Sequence, residues 1–140
     1  MPKTLILFDT TNADSGALAH VVAEGARSVR FAEVDLKASG EAVDLTTYDG
    51  IALDATSETV RQLLAGAGPL RSKVAALFGA ADGSLLTLLE QLGRAGMIVL
   101  PPGTGASALS AADAEAARVL GKRLCDVVAW ITHARSHHHH

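Results

Sequence analysis

The stretch TLILFDTTNADSGALAHVVAEGARS, residues 4–28, decides the fold of this chain. It opens with a short continuous apolar run, from Thr4 to Phe8, which polar residues end at once; such a run is typical of a strand buried on both faces. After a polar loop, Ser15 can cap a helix over residues 16–28, in which apolar residues recur at helical spacing. A buried strand followed by an amphipathic helix predicts the first unit of an α/β domain.

The same alternation continues along the chain. Short apolar runs predict four more strands, over residues 29–34, 50–53, 74–78 and 97–100. Helices are predicted after Ser57, over 84–92 and over 111–132, whereas residues 36–49 are predicted to form a connection. Alternating strands and helices imply right-handed crossovers and a parallel sheet covered on both faces. We therefore predict a three-layer α/β/α domain of flavodoxin-like architecture, with a five-stranded parallel sheet in the order 2-1-3-4-5.

Length and composition limit the function classes. The chain has 140 residues, 49% of them hydrophobic, which is enough for one well-packed domain. With a formal net charge of −3, the chain has no excess of positive charge to attract nucleic acid or an anionic membrane surface. We expect neither as a partner. The single cysteine, Cys125, excludes an internal disulfide framework and predicts a cytoplasmic location. We expect one domain over residues 1–134, with residues 135–140 a cloning scar and a histidine tag.

Five segments, in chain order, carry a family resemblance: LAHVVAEGA (18–26), YDGI (48–51), KVAALF (73–78), GMIVLP (96–101) and ARVLGKRL (117–124). The first contains the pattern A-x-x-x-A-E-G-A. These segments are similar to the first helix, the start of strand three, strands four and five, and the last helix of the flavodoxin-like NAD(P)H:quinone oxidoreductases. That family includes the tryptophan-repressor-binding proteins.

The resemblance implies that FMN would bind through three loops at the carboxyl ends of the strands. The residues that would then hold its phosphate are Thr10, Thr11, Asn12 and Ser15. Backbone N–H groups at the start of the first helix would assist them. The chain departs from the family pattern, because Ala13 replaces a usual glycine and Asp14 adds a carboxylate beside the phosphate position. The loops at 54–57 and 79–83 are short and contain no aromatic residue to stack on a flavin ring.

Five carboxylates lie in or next to the loops at the carboxyl ends of the predicted strands, and these loops contain no Lys or Arg. They are Asp9, Asp14, Asp54, Glu58 and Asp82. A like-charge pair about 4 Å apart costs about 4 kcal/mol at an effective dielectric of about 20. The amino terminus of a helix stabilises a nearby anion by only about 0.3–2 kcal/mol. This balance predicts that the chain binds no cofactor, and that it is a divergent flavodoxin-like domain acting in binding or assembly.

Other functions stay open. The chain would be an FMN-dependent NAD(P)H:quinone oxidoreductase, or an electron-transfer flavodoxin-like protein, if FMN binds after all. Asp9 and Asp54, at the ends of neighbouring strands, would hold Mg²⁺ or Ca²⁺ in a cation-binding domain, or in one resembling response-regulator receivers. The leucine-rich helix predicted over 84–92 carries more apolar surface than one sheet covers, which predicts a homodimer. Trp130 and Ile131 either pack on the core or form part of a dimer face, and the core is the favoured alternative.

Overall fold

The computed structural model describes residues 2–9, 13–30, 32–38, 44–54, 62–64, 66, 70, 73–78, 90–99 and 111–137, with the backbone alone at 13–15, 111–114 and 135–137. The strands are β1 (Lys3–Phe8), β2 (Glu33–Ala38), β3 (Gly50–Asp54), β4 (Val74–Phe78) and β5 (Ile98–Val99). All neighbouring pairs are parallel, and the order across the sheet is β2-β1-β3-β4-β5. This order confirms the predicted three-layer α/β/α fold class.

Two long helices accompany the sheet. Helix α1 spans Ala13–Arg27 and helix α2 spans Ala111–His137, and a 3₁₀ turn lies at Leu45–Thr47. Residues 62–64 and 90–94 are also helical, and they lie in or next to the other two predicted helices. The 27 residues of α2 would reach across a bilayer, but neither it nor another described helix is apolar enough over such a length to cross one.

The prediction of β2 over residues 29–34 is wrong. Residues 28–30 form a turn, and β2 begins at Glu33, so that its last three residues lie in the predicted connection. The physical reason is the position of β2 at the edge of the sheet, where it pairs only with β1. In β2, polar residues alternate with the apolar residues Val34, Leu36 and Ala38, so this edge strand contains no continuous apolar run.

Each face of the sheet packs against its own core. Side chains that alternate along β1, β3 and β4 contact α1 and α2 on one face, and they include Ile6, Ala52, Ala76 and Phe78. Their neighbours along the strands contact Leu64, Leu70 and Leu92 on the other face, and they include Leu5, Leu7, Ile51, Leu53 and Leu77. The three central strands are buried on both faces, which explains their continuous apolar sequences.

Helices α1 and α2 touch through their backbones at two glycines. A Cβ atom placed on Gly25 would lie 2.7 Å from the carbonyl carbon of Arg118, and one placed on Gly121 would lie 2.9 Å from the carbonyl carbon of Val22. Real Cβ atoms do not approach other atoms so closely, so only glycine fits at either position. This contact fixes α1 against α2 with no layer of side chains between them.

Tyr48 joins three strands at the amino edge of the sheet. Its ring is buried, and its hydroxyl donates a 2.7 Å hydrogen bond to Asp35 of β2. Lys73, just before β4, donates to the carbonyl oxygens of Tyr48 and Thr46, at 2.5 and 2.9 Å. The ammonium group of Lys3 lies 5.6 Å from the centre of the Tyr48 ring. This edge is therefore held by a connected polar network, on the side away from the strands' carboxyl ends.

Replacing Tyr48 by phenylalanine is expected to lower the free energy of unfolding by about 1–2 kcal/mol at neutral pH, because Asp35 loses its donor. Burial, and then the Asp35 carboxylate, raise the pKa of Tyr48 to about 12. An unfolded phenol titrates near 10, so the folded chain holds more protons between pH 10 and about 12, and stability falls as pH rises through that window.

The Tyr48→Phe variant should lack that component of the alkaline loss, as urea unfolding at several pH values would show. Tyr48 is the only tyrosine, so tyrosinate absorbance follows its titration directly. An equally steep alkaline loss in both proteins would contradict the assignment of this pH dependence to Tyr48.

Candidate functional site

The carboxyl edge of the sheet is the candidate site. Strand β1 ends at Phe8, and α1 begins at Ala13 after the four residues 9–12. The first N–H groups of a helix have no partner within the helix, so the start of α1 offers donors beside the end of β1. The neighbours β2 and β3 lie on opposite sides of β1, which makes this the switch point where open α/β sheets bind ligands.

Asp9 and Asp54 lie at the carboxyl edge on adjacent strands, as predicted. Asp54 is the last residue of β3, in register with Phe78, and only 1% of its surface is exposed. Both aspartates have interaction partners, so neither is an isolated charge facing the crevice. Across the described part of the chain, no group of three or more His, Cys, Asp or Glu residues is arranged to hold a metal ion. The Mg²⁺ or Ca²⁺ site thus stays a prediction without a third such residue to support it.

The predicted phosphate residues lie mostly outside the described part of the chain. Thr10, Thr11 and Asn12, between β1 and α1, are not among the described residues. Ser15 lies in the first turn of α1, where the structure describes only its backbone. The carboxylates Glu58 and Asp82 fall in gaps as well. Their roles remain predictions from the sequence.

His20 is a neighbour of the site that the sequence did not reveal. Its ring centre lies 6.4 Å from that of Phe8, tilted by 56°. Its Nδ1 lies 2.8 Å from the carbonyl oxygen of Gly16, one turn earlier in α1. A carbonyl oxygen only accepts, so Nδ1 carries the proton in this contact. His20 thus contacts both the end of β1 and the first turns of α1, and no sequence motif links these residues.

Cys125 is a small core residue. It is 2% exposed, and its thiol lies 3.5 Å from the Thr4 hydroxyl, near the amino edge of the sheet. Burial raises the pKa of the thiol, more than the contact with Thr4 opposes. The reactive thiolate form is therefore disfavoured, and Cys125 takes no part in the candidate site.

No family model matches the chain, and a search of curated proteins finds no match. A comparison with solved structures does find similar proteins. A flavodoxin from an archaeon is 17% identical, with a TM-score of 0.72 over 91% of this chain and 99% of that chain. Oxidised flavodoxin 2 from Bacillus cereus is 20% identical, with a TM-score of 0.72 over 89% and 99%. Two-electron-reduced Megasphaera elsdenii flavodoxin is 15% identical, with a TM-score of 0.69 over 86% and 98%.

These comparisons contradict the prediction of a cofactor-free domain, since the structures that share the fold over nearly their whole length include flavodoxins in defined redox states. The predicted repulsion assumed that Asp9 and Asp54 are isolated charges. Asp54 is buried instead, and both have partners. Sheet order, helix placement and the structural matches agree, and this chain has the flavodoxin-like fold.

Proposed function

We propose that this chain binds FMN at the carboxyl edge of its sheet and carries electrons, as a small flavodoxin-like protein. The observation that supports this best is the placement of the start of α1 at the β1/β3 switch point, in a fold matched over 98–99% of each flavodoxin compared. A bound flavin would supply one- and two-electron chemistry. The chain itself would bind it, orient it and limit its contact with water.

The phosphate would lie at the start of α1. The unpaired N–H groups there attract an anion, and the hydroxyl and amide groups of Thr10, Thr11, Asn12 and Ser15 are suitable donors. The contact of α1 with α2 at Gly25 and Gly121 holds this helix in place before a ligand arrives. Preorganised donors lose little entropy on binding, which favours affinity.

The flavin ring would be held less firmly than the phosphate. The sequence places no aromatic residue in the loops at 54–57 and 79–83, so stacking would not contribute there. Asp14, in the first turn of α1, adds a negative charge next to the proposed phosphate position. For both reasons we expect a dissociation constant in the range of about 1–10 μM.

Titration of the purified protein with FMN and with riboflavin tests the proposal. We expect FMN to bind at least about tenfold more tightly, because only FMN carries the phosphate. Replacing Ser15 by alanine should weaken FMN binding about threefold or more without changing riboflavin binding, whereas Asp14→Asn should strengthen FMN binding. Thr47→Ala, which removes a hydroxyl at the opposite edge of the sheet, is the matched control.

Absence of saturable FMN binding at about 100 μM ligand would overturn the proposal. Equal affinities for FMN and riboflavin would instead contradict the placement of the phosphate.

The resemblance to NAD(P)H:quinone oxidoreductases supports a second candidate, in which the FMN-loaded chain reduces quinones. Steady-state oxidation of NAD(P)H by quinone would distinguish the two functions. The electron-carrier proposal expects rapid reduction by chemical reductants and little turnover of NAD(P)H. A cytoplasmic location belongs to the same proposal, supported by one buried cysteine that forms no disulfide.

A further inference from the structure

Helix α2 has a stripe of apolar and charged residues on the side away from the sheet. Trp130 is 70% exposed and Val119 is 43% exposed, although Trp130 was predicted in the core. Ile131, the next residue, packs against the core as expected. The stripe forms a shallow groove of about 370 Å³, lined by Val119, Lys122, Arg123, Asp126, Val127 and Trp130. We call these six residues the α2 stripe.

The α2 stripe is complementary to itself. When a second α2 is placed antiparallel, about a twofold axis midway between Leu124 and Cys125, Val119 faces Trp130 of the second copy. Arg123 then faces Asp126 of the second copy. At 3.6 residues per turn, these two pairs lie symmetrically about one line along the helix, within about 60° of its circumference. Each contact occurs twice, as in an isologous interface.

We propose that the α2 stripe is the contact surface of a weak homodimer. A second copy is the occupant that the chemistry favours, because it supplies a small Val119 for the large Trp130 ring and a carboxylate for Arg123. Asp126 already accepts a 3.3 Å bond from Lys122 of its own chain, and a carboxylate has room for a second donor. The helix predicted to dimerise, over 84–92, lies mostly outside the described residues.

The affinity follows from the size of the stripe. From Val119 to Trp130 the helix rises only about 16 Å, so the interface is smaller than that of a standard stable complex. We therefore expect a dissociation constant of about 10–100 μM. Since α2 runs toward the amino edge, with Val128 beside Gly50, an antiparallel pair leaves both carboxyl edges uncovered. The inference is independent of the FMN proposal.

Sedimentation and fluorescence over a range of concentrations test the dimer directly. Trp130 is the only tryptophan, so its emission should shift to shorter wavelength over the same range in which the mass rises from 14.4 kDa to twice that value. A chelator in the buffer prevents the terminal histidines from bridging two chains through a metal ion. A chain that stays monomeric up to about 500 μM, or an unchanged emission during association, would overturn the proposal.

Charge reversal tests the register. Arg123→Glu alone and Asp126→Arg alone should each weaken the dimer about tenfold or more, because each places like charges face to face twice. The double variant restores opposite charges and should return to within about threefold of the parent. Arg94→Glu, on the other face of the sheet, is the matched control and should have no effect. Failure of the double variant to recover would contradict this pairing.

Discussion

Replacing Gly121 by alanine is expected to lower the free energy of unfolding by about 3 kcal/mol or more. The new methyl group would press on the main chain of α1 at Val22 and Ala26, which no rotamer change can relieve. Overfilling a packed interior by one methyl group costs about 1–3 kcal/mol when side chains give way, and backbone obstacles place this case at the upper end. Gly25→Ala should behave alike, because it presses on Arg118.

Urea unfolding followed by circular dichroism measures the effect, and Gly93→Ala is the matched control. Gly93 also lies in a helical segment, but nothing lies within 4 Å of its added Cβ, so stability should stay equal or rise by up to about 1 kcal/mol. The double variant of Gly25 and Gly121 should cost less than the sum of the single changes, because one separation of the helices accommodates both methyl groups. Full additivity would mean that the two contacts are independent.

Phe78→Ala is the second change with a large expected effect, about 3–5 kcal/mol of lost stability. Phe78 ends β4, is 1% exposed and packs in the core formed with α1 and α2. Its removal leaves a cavity between sheet and helices, at the carboxyl edge next to Asp54. Since α1 and α2 are fixed to each other, they cannot easily collapse into that space, which keeps the cost high.

Thermal and urea unfolding of three variants distinguish the stability lost by creating a cavity from the stability lost by removing a half-exposed apolar side chain. Phe78→Leu refills most of the volume and should cost roughly half as much as Phe78→Ala. Ile98→Ala removes a side chain of β5 that is 42% exposed and should cost no more than about 1 kcal/mol. If Phe78→Ala and Ile98→Ala were equally mild, the assignment of Phe78 to the core would be wrong.

The fold was predictable wherever burial is symmetrical. Strands β1, β3 and β4 lie inside the sheet, so both of their faces demand apolar residues and the runs can be read directly from the sequence. Strand β2 was misplaced because its apolar residues alternate with polar ones and form no continuous run. The sequence placed Trp130 in a helix correctly, but helical spacing does not show which apolar residues face the sheet and which face solvent.

The candidate site was less predictable than the fold. Adjacent strand ends placed Asp9 and Asp54 at one edge correctly, because topology alone determines that neighbourhood. The absence of a cofactor was wrongly predicted from their charges, because the free energy of a carboxylate depends on its burial and its partners. Neither can be read from the sequence. The contact of Phe8 with His20 depends on how α1 crosses the end of β1, which again no local pattern encodes.

The meeting of α1 and α2 at Gly25 and Gly121 also restricts how this sequence can diverge. Elsewhere in a core, an enlarged residue can be offset by shrinking its neighbour. Here the obstructing atoms belong to peptide groups that every amino acid carries, so no second substitution on the facing helix makes room. A lineage that lost either glycine would have to re-dock the whole helix pair.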